Sequence, residues 1–313
     1  MSSPNLGECP TPITNQTVTS IPSWIAGAYG RMNSSIAEEH ARYGGTAQYP
    51  HLIASGAAIS ATARSALNRW RVGEERTAII LGPGGCFDIP LEEIVTEFGR
   101  TTLVDVDTAQ TERALCDLPP QLLGKISLRR ADISGRVAEL STIFNKAGEM
   151  NYLEFINVAA MAVNGLAKQS THRAIEGSYS FTCSQLLMSQ LSSIPVTRFS
   201  RRIEEVYGVP LSTESGKPDE PLSFALNEYN ERTQAEHVRH LAELTSPNGV
   251  VHFADTVGMF MGGELLPMVG AAPFDEMAKR FSDLAPAASW EWQANPGRRF
   301  LVLAQSLVPK QSA

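Results

Sequence analysis

The chain lacks several features that would assign it to a specialised class of protein. Its 313 residues include four cysteines (Cys9, Cys86, Cys116 and Cys183), and no two of them form a Cys-x-x-Cys pair. This spacing indicates neither a disulfide framework nor a zinc site, and it favours a reducing compartment. No apolar run reaches the roughly 18 residues needed to span a membrane. The N-terminus has no basic start followed by an apolar run, so it does not resemble a signal peptide. We therefore expect a cytoplasmic protein without a membrane partner.

A surplus of positive charge is also absent. The formal net charge is −7 and the isoelectric point is near 5.5. Proteins that bind nucleic acid need clustered basic side chains to neutralise phosphates, so we expect no nucleic-acid partner. A short basic cluster at 198–202 is followed directly by Glu204 and Glu205, which is typical of a solvated helix face.

Residues that could bind a metal are not clustered in the sequence. His237 and His240 are three residues apart in a predicted helix. Their neighbours Glu231, Arg232 and Glu236 mark that helix as solvated, so no metal site is predicted.

Three regions with different compositions follow one another along the chain. Residues 1–22 are small, polar and rich in proline, which predicts a flexible tail. Residues 23–72 carry apolar side chains at helical spacing, and we expect a helical cap or lid. Residues 73–313 are the predicted main domain, with insertions near 149–176 and 209–221.

Strands and helices alternate in the main domain. Strands are predicted at 77–81, 101–107, 126–130, 179–183 and 249–254. The intervening helical patterns are typical of an α/β protein with a doubly wound, mostly parallel sheet. Near the end, Ser289–Trp292 and Phe300–Leu307 flank a Pro296-Gly297 turn, which predicts a C-terminal antiparallel hairpin.

A glycine-rich turn and two aspartates follow three successive predicted strands. The turn Gly82-Pro83-Gly84-Gly85 follows the first strand, where glycine allows a sharp bend and the close approach of a ligand. Asp105 lies 21 positions after Gly84, near the spacing expected of a ribose-binding carboxylate, and Asp107 competes for that role. Asp132 ends the third strand, where it could contact an adenine amino group or cap a helix. Together these residues predict a nucleoside site at one edge of the sheet.

With these motifs the chain resembles the class I S-adenosylmethionine-dependent methyltransferase family, from Thr77 to about Leu307. The resemblance implies S-adenosyl-L-methionine as the cofactor. It also implies transfer of a methyl group to a small-molecule or peptide acceptor by in-line displacement. The C-terminal hairpin is similar to the antiparallel pair that distinguishes this family from nicotinamide-binding folds. The chain departs from the family pattern at one point. The acidic residue usually found just before the glycine turn is missing, because Ile80 and Leu81 occupy that stretch.

The resemblance assigns cofactor-binding roles to residues at four strand ends. These are Gly82, Pro83, Gly84, Gly85, Asp105, Val106, Asp132, Ile133, Thr182 and Cys183. Aromatic and polar residues of the cap could close over the site as a lid, or could simply pack the N-terminal helices. From that set and the fourth strand end we predict the acceptor-binding residues Tyr29, Arg31, Met32, Tyr43 and Gln185.

A catalytic base is optional, because positioning alone supplies much of the acceleration of an in-line displacement. The candidates are His40, His51, His252 and Asp255. We select His252 and Asp255 as catalytic residues because they lie near the end of the fifth predicted strand, which faces the cleft.

Two other functions stay open. An NAD(P)-dependent oxidoreductase would carry its third motif glycine at position 87, which is Phe87. A non-catalytic cofactor-binding protein of the same fold is consistent with the missing acidic residue. The sequence specifies neither the acceptor, nor the atom methylated, nor the oligomeric state.

Overall fold

In the part of the chain that the structure describes, ten strands form a mostly parallel central sheet. The computed structural model describes residues 16–17, 21–22, 27–32, 34–35, 38, 49–169, 175–211, 216–217, 219–261, 264–295 and 298–310. The strands are β1 (Gln16–Thr17), β2 (Thr77–Leu81), β3 (Arg100–Asp105), β4 (Ile126–Arg130), β5 (Tyr179–Gln185), β6 (Thr245–Met261), β7 (Glu264–Pro267), β8 (Phe281–Asp283), β9 (Ala288–Asn295) and β10 (Arg298–Pro309).

The strand order reverses beside β2. Across the sheet the order is β1-β4-β3-β2-β5-β6-β10-β8, with β7 paired to β6 and β9 paired to β10. All neighbours from β1 to β6 are parallel, whereas β10 is antiparallel to β6. In open α/β sheets, ligands bind outside the carboxyl ends of the strands where the order reverses. That position lies between β2 and β5.

Helices cover both faces of the sheet. They are α1 (Tyr49–Arg69), α2 (Leu91–Glu97), α3 (Ala109–Leu115), α4 (Pro120–Leu123), α5 (Val137–Asn145), α6 (Tyr152–Lys168), α7 (Gln190–Tyr207), α8 (Glu220–Leu244) and α9 (Ala271–Arg280). Residues 27–32 are also helical. Because both faces are covered, β2 is apolar throughout its interior, and Ile79, Ile80 and Leu81 are fully buried.

Two apolar clusters fix these layers. On one face, α1 and α2 pack on the sheet through residues such as Ile59 and Ile94. On the other face, α8 and α9 pack through residues such as Leu241 and Met277. A third cluster joins α5, α6, α7 and α8 to one another, centred on Phe155. The predicted insertion near 149–176 therefore contributes a helix, α6, to an additional layer.

The fold class predicted from the sequence is confirmed. The sheet is mostly parallel and doubly wound, and β9 and β10 form the C-terminal antiparallel pair. The turn residues Pro296 and Gly297 lie outside the described residues. None of the helices in the described part of the chain is long and apolar enough to cross a membrane.

The described part of the N-terminal region adds a short strand and a helix to the sheet. Gln16 and Thr17, within the segment predicted as a flexible tail, pair in parallel with Arg129 and Arg130 of β4. Helix α1, within the predicted cap, packs its small apolar face on the sheet. Its first turn reaches the ligand-binding edge through His51 and Leu52.

Several element boundaries also differ from the predictions. Helix α7 contains Pro195 and continues through it to Tyr207. A proline inside a helix removes one backbone hydrogen bond, and its ring crowds the carbonyl four residues before it. Helix α8 begins at Glu220, inside the predicted loop 209–221, and the elements β7, α9 and β8 were not predicted.

The cysteines fall into two groups. Cys86 and Cys183 carry free thiols, while Cys116 is disulfide-bonded. The cysteine spacing did not predict this bond.

Candidate functional site

The glycine turn after β2 has a backbone conformation that requires glycine at two positions. Gly82 has φ +64° and Gly84 has φ +50°, both in the left-handed region. The N–H of Gly82 donates to the Val104 carbonyl at 2.8 Å, which ties the turn to β3. A Cβ at Gly82 would lie 2.6 Å from Leu187 Cδ1. The turn therefore brings bare backbone to the carboxyl edge of the sheet.

Asp105, at the end of β3, holds this turn in place. Its Oδ2 accepts the Gly84 N–H at 3.0 Å, and its Oδ1 accepts the Asp107 N–H at 3.0 Å. The side chain is buried, and this burial raises the pKa of the carboxyl to about 6. Each carboxylate oxygen can accept a further hydrogen bond, so Asp105 retains capacity for a ligand.

Asp132, at the end of β4, combines the two roles that the sequence left open. Its carboxylate accepts hydrogen bonds from the Ser134 N–H and hydroxyl and from the Val137 N–H at the start of α5. Burial raises the pKa of this carboxyl as well. Asp132 thus caps the helix, and it also lines the same cleft as Gly84 and Asp105.

We call this cleft the nucleoside cleft. Its lining residues are Tyr29, Met32, Gly82, Gly84, Asp105, Val106, Asp132, Ile133, Leu187, Gln190 and Leu191. Apolar side chains at Val106, Ile133 and Leu187 form walls for a flat ring, and two carboxylates provide acceptors for hydroxyl and amino groups. The residues present therefore fit an adenosine.

A second cavity, the inner pocket, lies on the other side of the glycine turn. It is lined by His51, Leu52, Gly82, Pro83, Gly84, Gly85, Cys86, Phe87, Asp88, Gln185, Leu186, Leu187, Gln190 and Trp292. Gly82, Gly84, Leu187 and Gln190 line both spaces, so the two are adjacent. A ligand with a nucleoside in the cleft can extend its tail into the inner pocket.

Backbone strain is concentrated at this pocket. Within the described residues, Cys86 (φ +56°) and Leu186 (φ +51°) are the non-glycine residues with a left-handed backbone. Both line the inner pocket, one after β2 and the other after β5. Such strain occurs where the surrounding structure fixes a functional geometry.

His51 forms an aromatic wall with the C-terminal hairpin. Its ring stacks on Trp292 with 4.7 Å between centroids, and its Nδ1 accepts the Trp290 indole N–H at 2.8 Å. This bond leaves the proton of the neutral ring on Nε2. Burial lowers the pKa of His51, and nearby Asp88 opposes that effect in part. The imidazole is therefore neutral at physiological pH.

A chain of polar side chains connects the inner pocket to the interior. Gln185 Nε2 donates to Ser55 Oγ at 2.7 Å, and Ser55 Oγ donates to the Asp88 carbonyl at 3.1 Å. On its other side, Gln185 Oε1 lies 3.1 Å from His252 Nε2. These bonds fix the Gln185 amide, which was predicted to bind the acceptor, at the wall of the pocket.

The structure places His252 and Asp255, predicted as catalytic, beneath the site. His252 is buried, its Nδ1 lies 3.2 Å from Thr62 Oγ1, and burial lowers its pKa to about 3. Asp255 is fully buried and accepts the N–H groups of Ser189 at 2.9 Å and Thr256 at 2.7 Å. Neither is among the described residues that line the nucleoside cleft or the inner pocket. Because both side chains are enclosed and hydrogen-bonded, their geometry suits positioning rather than proton transfer.

Thr182 and Cys183 also lie inside the sheet. Thr182 Oγ1 accepts a hydrogen bond from Thr245 Oγ1 at 2.8 Å, and the Cys183 thiol is fully buried. Neither is among the described residues that line the nucleoside cleft or the inner pocket. The strand continues two residues further than predicted, so its end, Gln185, reaches the site instead.

The predicted acceptor residues of the cap are separated from one another. Tyr29 and Met32 line the nucleoside cleft, and the Tyr29 hydroxyl donates to the Gln190 carbonyl at 3.2 Å. Arg31 is exposed and lines an outer depression beside Asp107. Tyr43 lies outside the described residues. Within the predicted cap, Tyr29 and Met32 thus reach the nucleoside cleft, whereas His51 and Leu52 line the inner pocket.

Several lining residues were not among the predicted binding residues. Asp88 follows the glycine turn by three residues, and Trp292 belongs to the hairpin that the sequence did predict. Leu187 and Gln190 follow β5 at the strand end nearest the switch point. The sequence showed only that these residues follow predicted strands. That position does not specify which side chains of a loop line the pocket.

Solved structures resemble this chain at low sequence identity. A SAM-dependent methyltransferase from Leishmania major is 10% identical with a TM-score of 0.43, covering 95% of this chain and 87% of that chain. The N-methyltransferase NodS from Bradyrhizobium japonicum, in complex with S-adenosyl-L-homocysteine, is 10% identical with a TM-score of 0.40, covering 81% and 86%. The [4+2]-cyclase SpnF is 8% identical with a TM-score of 0.39, covering 80% of both chains. No protein-family model and no curated protein matches the sequence.

The fold itself is defined by the strand order rather than by these weak similarities. Five parallel strands in the order β4-β3-β2-β5-β6, followed by antiparallel β10, form a doubly wound, Rossmann-like sheet. The resemblance stated from the sequence is confirmed at the level of fold.

Proposed function

We propose that the protein is an S-adenosylmethionine-dependent methyltransferase acting on a small-molecule or peptide acceptor. The observation that carries the proposal is the shared lining of the nucleoside cleft. Gly84, Asp105 and Asp132, from three successive strand ends, meet around one space with apolar walls. The adjacent inner pocket provides room for the amino-acid tail and the acceptor. A cytoplasmic location remains part of the proposal.

The residues of the cleft divide the binding of the cofactor among them. Asp105 accepts hydrogen bonds from the ribose hydroxyls, a charge-assisted contact stronger than a neutral one. Asp132 accepts from the adenine amino group, and Val106 and Ile133 pack on the ring. When bound, the cofactor supplies an electrophilic methyl group on a sulfonium. The protein contributes by holding the acceptor in line with that methyl group.

The wall of the inner pocket orients the acceptor. His51 and Trp292 present stacked rings, and Gln185 presents an amide fixed by Ser55 and His252. His252 acts here as a positioning residue, because its neutral ring lies behind Gln185 and is hydrogen-bonded to it. This arrangement favours an acceptor with a flat or apolar body and a polar reacting group.

A titration calorimetry experiment tests the proposal against its alternatives. S-adenosylmethionine and S-adenosylhomocysteine are expected to bind the full chain, whereas NAD and NADP are expected not to bind. Binding of a nicotinamide cofactor alone would support an oxidoreductase and contradict the proposal. Transfer of labelled methyl from bound cofactor to any member of an acceptor panel then separates an enzyme from a non-catalytic binder.

Cofactor affinity is expected to fall at acid pH. Burial raises the pKa of Asp105 to about 6, so the carboxylate is ionised above that pH and protonated below it. The protonated form accepts ribose hydrogen bonds poorly. The dissociation constant of S-adenosylhomocysteine should therefore rise as pH falls below 6, approaching about tenfold per unit. Calorimetry between pH 5 and pH 8 measures this slope, and in Asp105→Asn the contribution of this group should disappear. A wild-type slope equal to that of the variant would contradict the assignment.

A further inference from the structure

Asp88 brings a carboxylate into the inner pocket, just beyond the glycine turn. The side chain is 19% exposed and lines the pocket together with Gly85 and Phe87. Ser55 Oγ lies 3.1 Å from the Asp88 carbonyl oxygen and 3.4 Å from its Oδ2. These contacts orient the carboxylate and leave it acceptor capacity for a ligand.

This carboxylate has no basic counter-charge in the described part of the protein. No lysine or arginine there lies within 4.0 Å of it, and the nearest ionisable partner is His51, with Nε2 3.9 Å from Oδ2. His51 is neutral, since it is buried and its Nδ1 accepts the Trp290 N–H. A carboxylate held in a partly enclosed pocket without a cation favours a cationic group on the ligand.

The position of Asp88 matches the end of a ligand that begins in the nucleoside cleft. Gly82 and Gly84 line both spaces, so a chain leaving the ribose crosses the glycine turn and enters the inner pocket. The amino-acid end of S-adenosylmethionine carries an ammonium group. The stretch before the turn cannot bind that group, because Ile80 and Leu81 are apolar and fully buried.

We infer that Asp88 binds the α-ammonium group of the cofactor's amino-acid end, in place of the acidic residue missing before the glycine turn. This inference rests on the proposed function. Asp88 is thereby a specificity residue, which distinguishes ligands with an amino-acid tail from those that carry only the nucleoside.

Calorimetry with three ligands tests the inference in the full chain. Asp88→Asn keeps an oxygen that can accept from Ser55 but removes the charge. It should lower the affinity for S-adenosylhomocysteine about 10- to 100-fold, the range expected for loss of a hydrogen bond to a charged group. Decarboxylated S-adenosylmethionine keeps the amine and should show a similar loss. Methylthioadenosine has no amino-acid end and should bind the variant as it binds the wild type.

The control and the possible outcomes separate this inference from the proposed function. Glu92→Gln, on an exposed acid in the first turn of α2, should change none of the three affinities. Equal binding of S-adenosylhomocysteine by wild type and Asp88→Asn would overturn the role of Asp88. An equal loss for methylthioadenosine would also overturn it, by showing a general disturbance of the site. If the wild type binds none of the three ligands, the proposed function is contradicted instead.

Discussion

Replacing Asp105 by alanine is expected to weaken the binding of S-adenosylhomocysteine by about 100-fold or more. The carboxylate would supply two charge-assisted hydrogen bonds to the ribose, each worth roughly 1.5–3 kcal/mol. It also accepts the Gly84 and Asp107 N–H groups, so its loss loosens the turn on which the cofactor rests. Titration calorimetry of the purified variant measures the change in dissociation constant.

The matched control for this variant is Asp117→Ala, which removes an exposed aspartate from the end of α3. It should leave cofactor affinity unchanged. Asp105→Asn, of nearly the same shape, checks that the effect does not come from a cavity. If Asp105→Ala binds the cofactor as tightly as Asp117→Ala does, Asp105 is not a ligand of the ribose.

Gly82→Ala is expected to damage both stability and binding. A left-handed backbone costs a non-glycine residue roughly 1–2 kcal/mol, and the new Cβ would lie 2.6 Å from Leu187 Cδ1. Leu187 lines both the nucleoside cleft and the inner pocket, so its displacement disturbs both. We expect a loss of about 1–3 kcal/mol in the free energy of unfolding. Affinity for S-adenosylhomocysteine should fall at least about tenfold, which corresponds to about 1.4 kcal/mol.

Gly56→Ala provides the opposite result in the same chain. Gly56 lies within helix α1, and a Cβ added there meets nothing within 4 Å. Alanine in a helix is more stable than glycine by about 0.5–1 kcal/mol, so this variant should unfold at a higher urea concentration than the wild type. Its affinity for S-adenosylhomocysteine should be unchanged. Urea unfolding followed by calorimetry compares the two variants. A Gly82→Ala protein as stable and as tight in binding as wild type would show that the turn tolerates a side chain.

The positions of β2, β3 and β4 along the chain could be predicted because parallel, doubly covered strands have a simple sequence pattern. β2 and β4 match the predicted bounds, and β3 differs by one residue at its start and two at its end. These strands are short apolar runs that end in glycine or aspartate. Since such ends converge on one edge of a parallel sheet, the grouping of Gly84, Asp105 and Asp132 could also be anticipated.

The inner pocket could not be predicted because its residues come from distant parts of the chain. His51 belongs to the first turn of α1, while Trp290 and Trp292 belong to β9. They meet only because α1 packs on the sheet beside the C-terminal hairpin. Periodicity shows that α1 is amphipathic, but it does not show which element covers it.

The catalytic prediction illustrates a second limit. His252 and Asp255 are near a strand end in sequence, but β6 continues to Met261, so both lie within the strand. Their side chains are enclosed by Thr62 of α1, Gln185 of β5 and Ser189 of the turn before α7. Burial of a polar side chain depends on these tertiary partners, and the local sequence does not contain them.

The most direct test of the account is a crystal structure of the protein with S-adenosylhomocysteine. The account predicts the ribose hydroxyls within hydrogen-bond distance of Asp105 and the adenine beside Asp132, between Val106 and Leu187. It places the homocysteine tail across the glycine turn in the inner pocket. A ligand bound at any other location, or a nucleoside that contacts neither carboxylate, would contradict the central claim that these strand ends form one adenosine site.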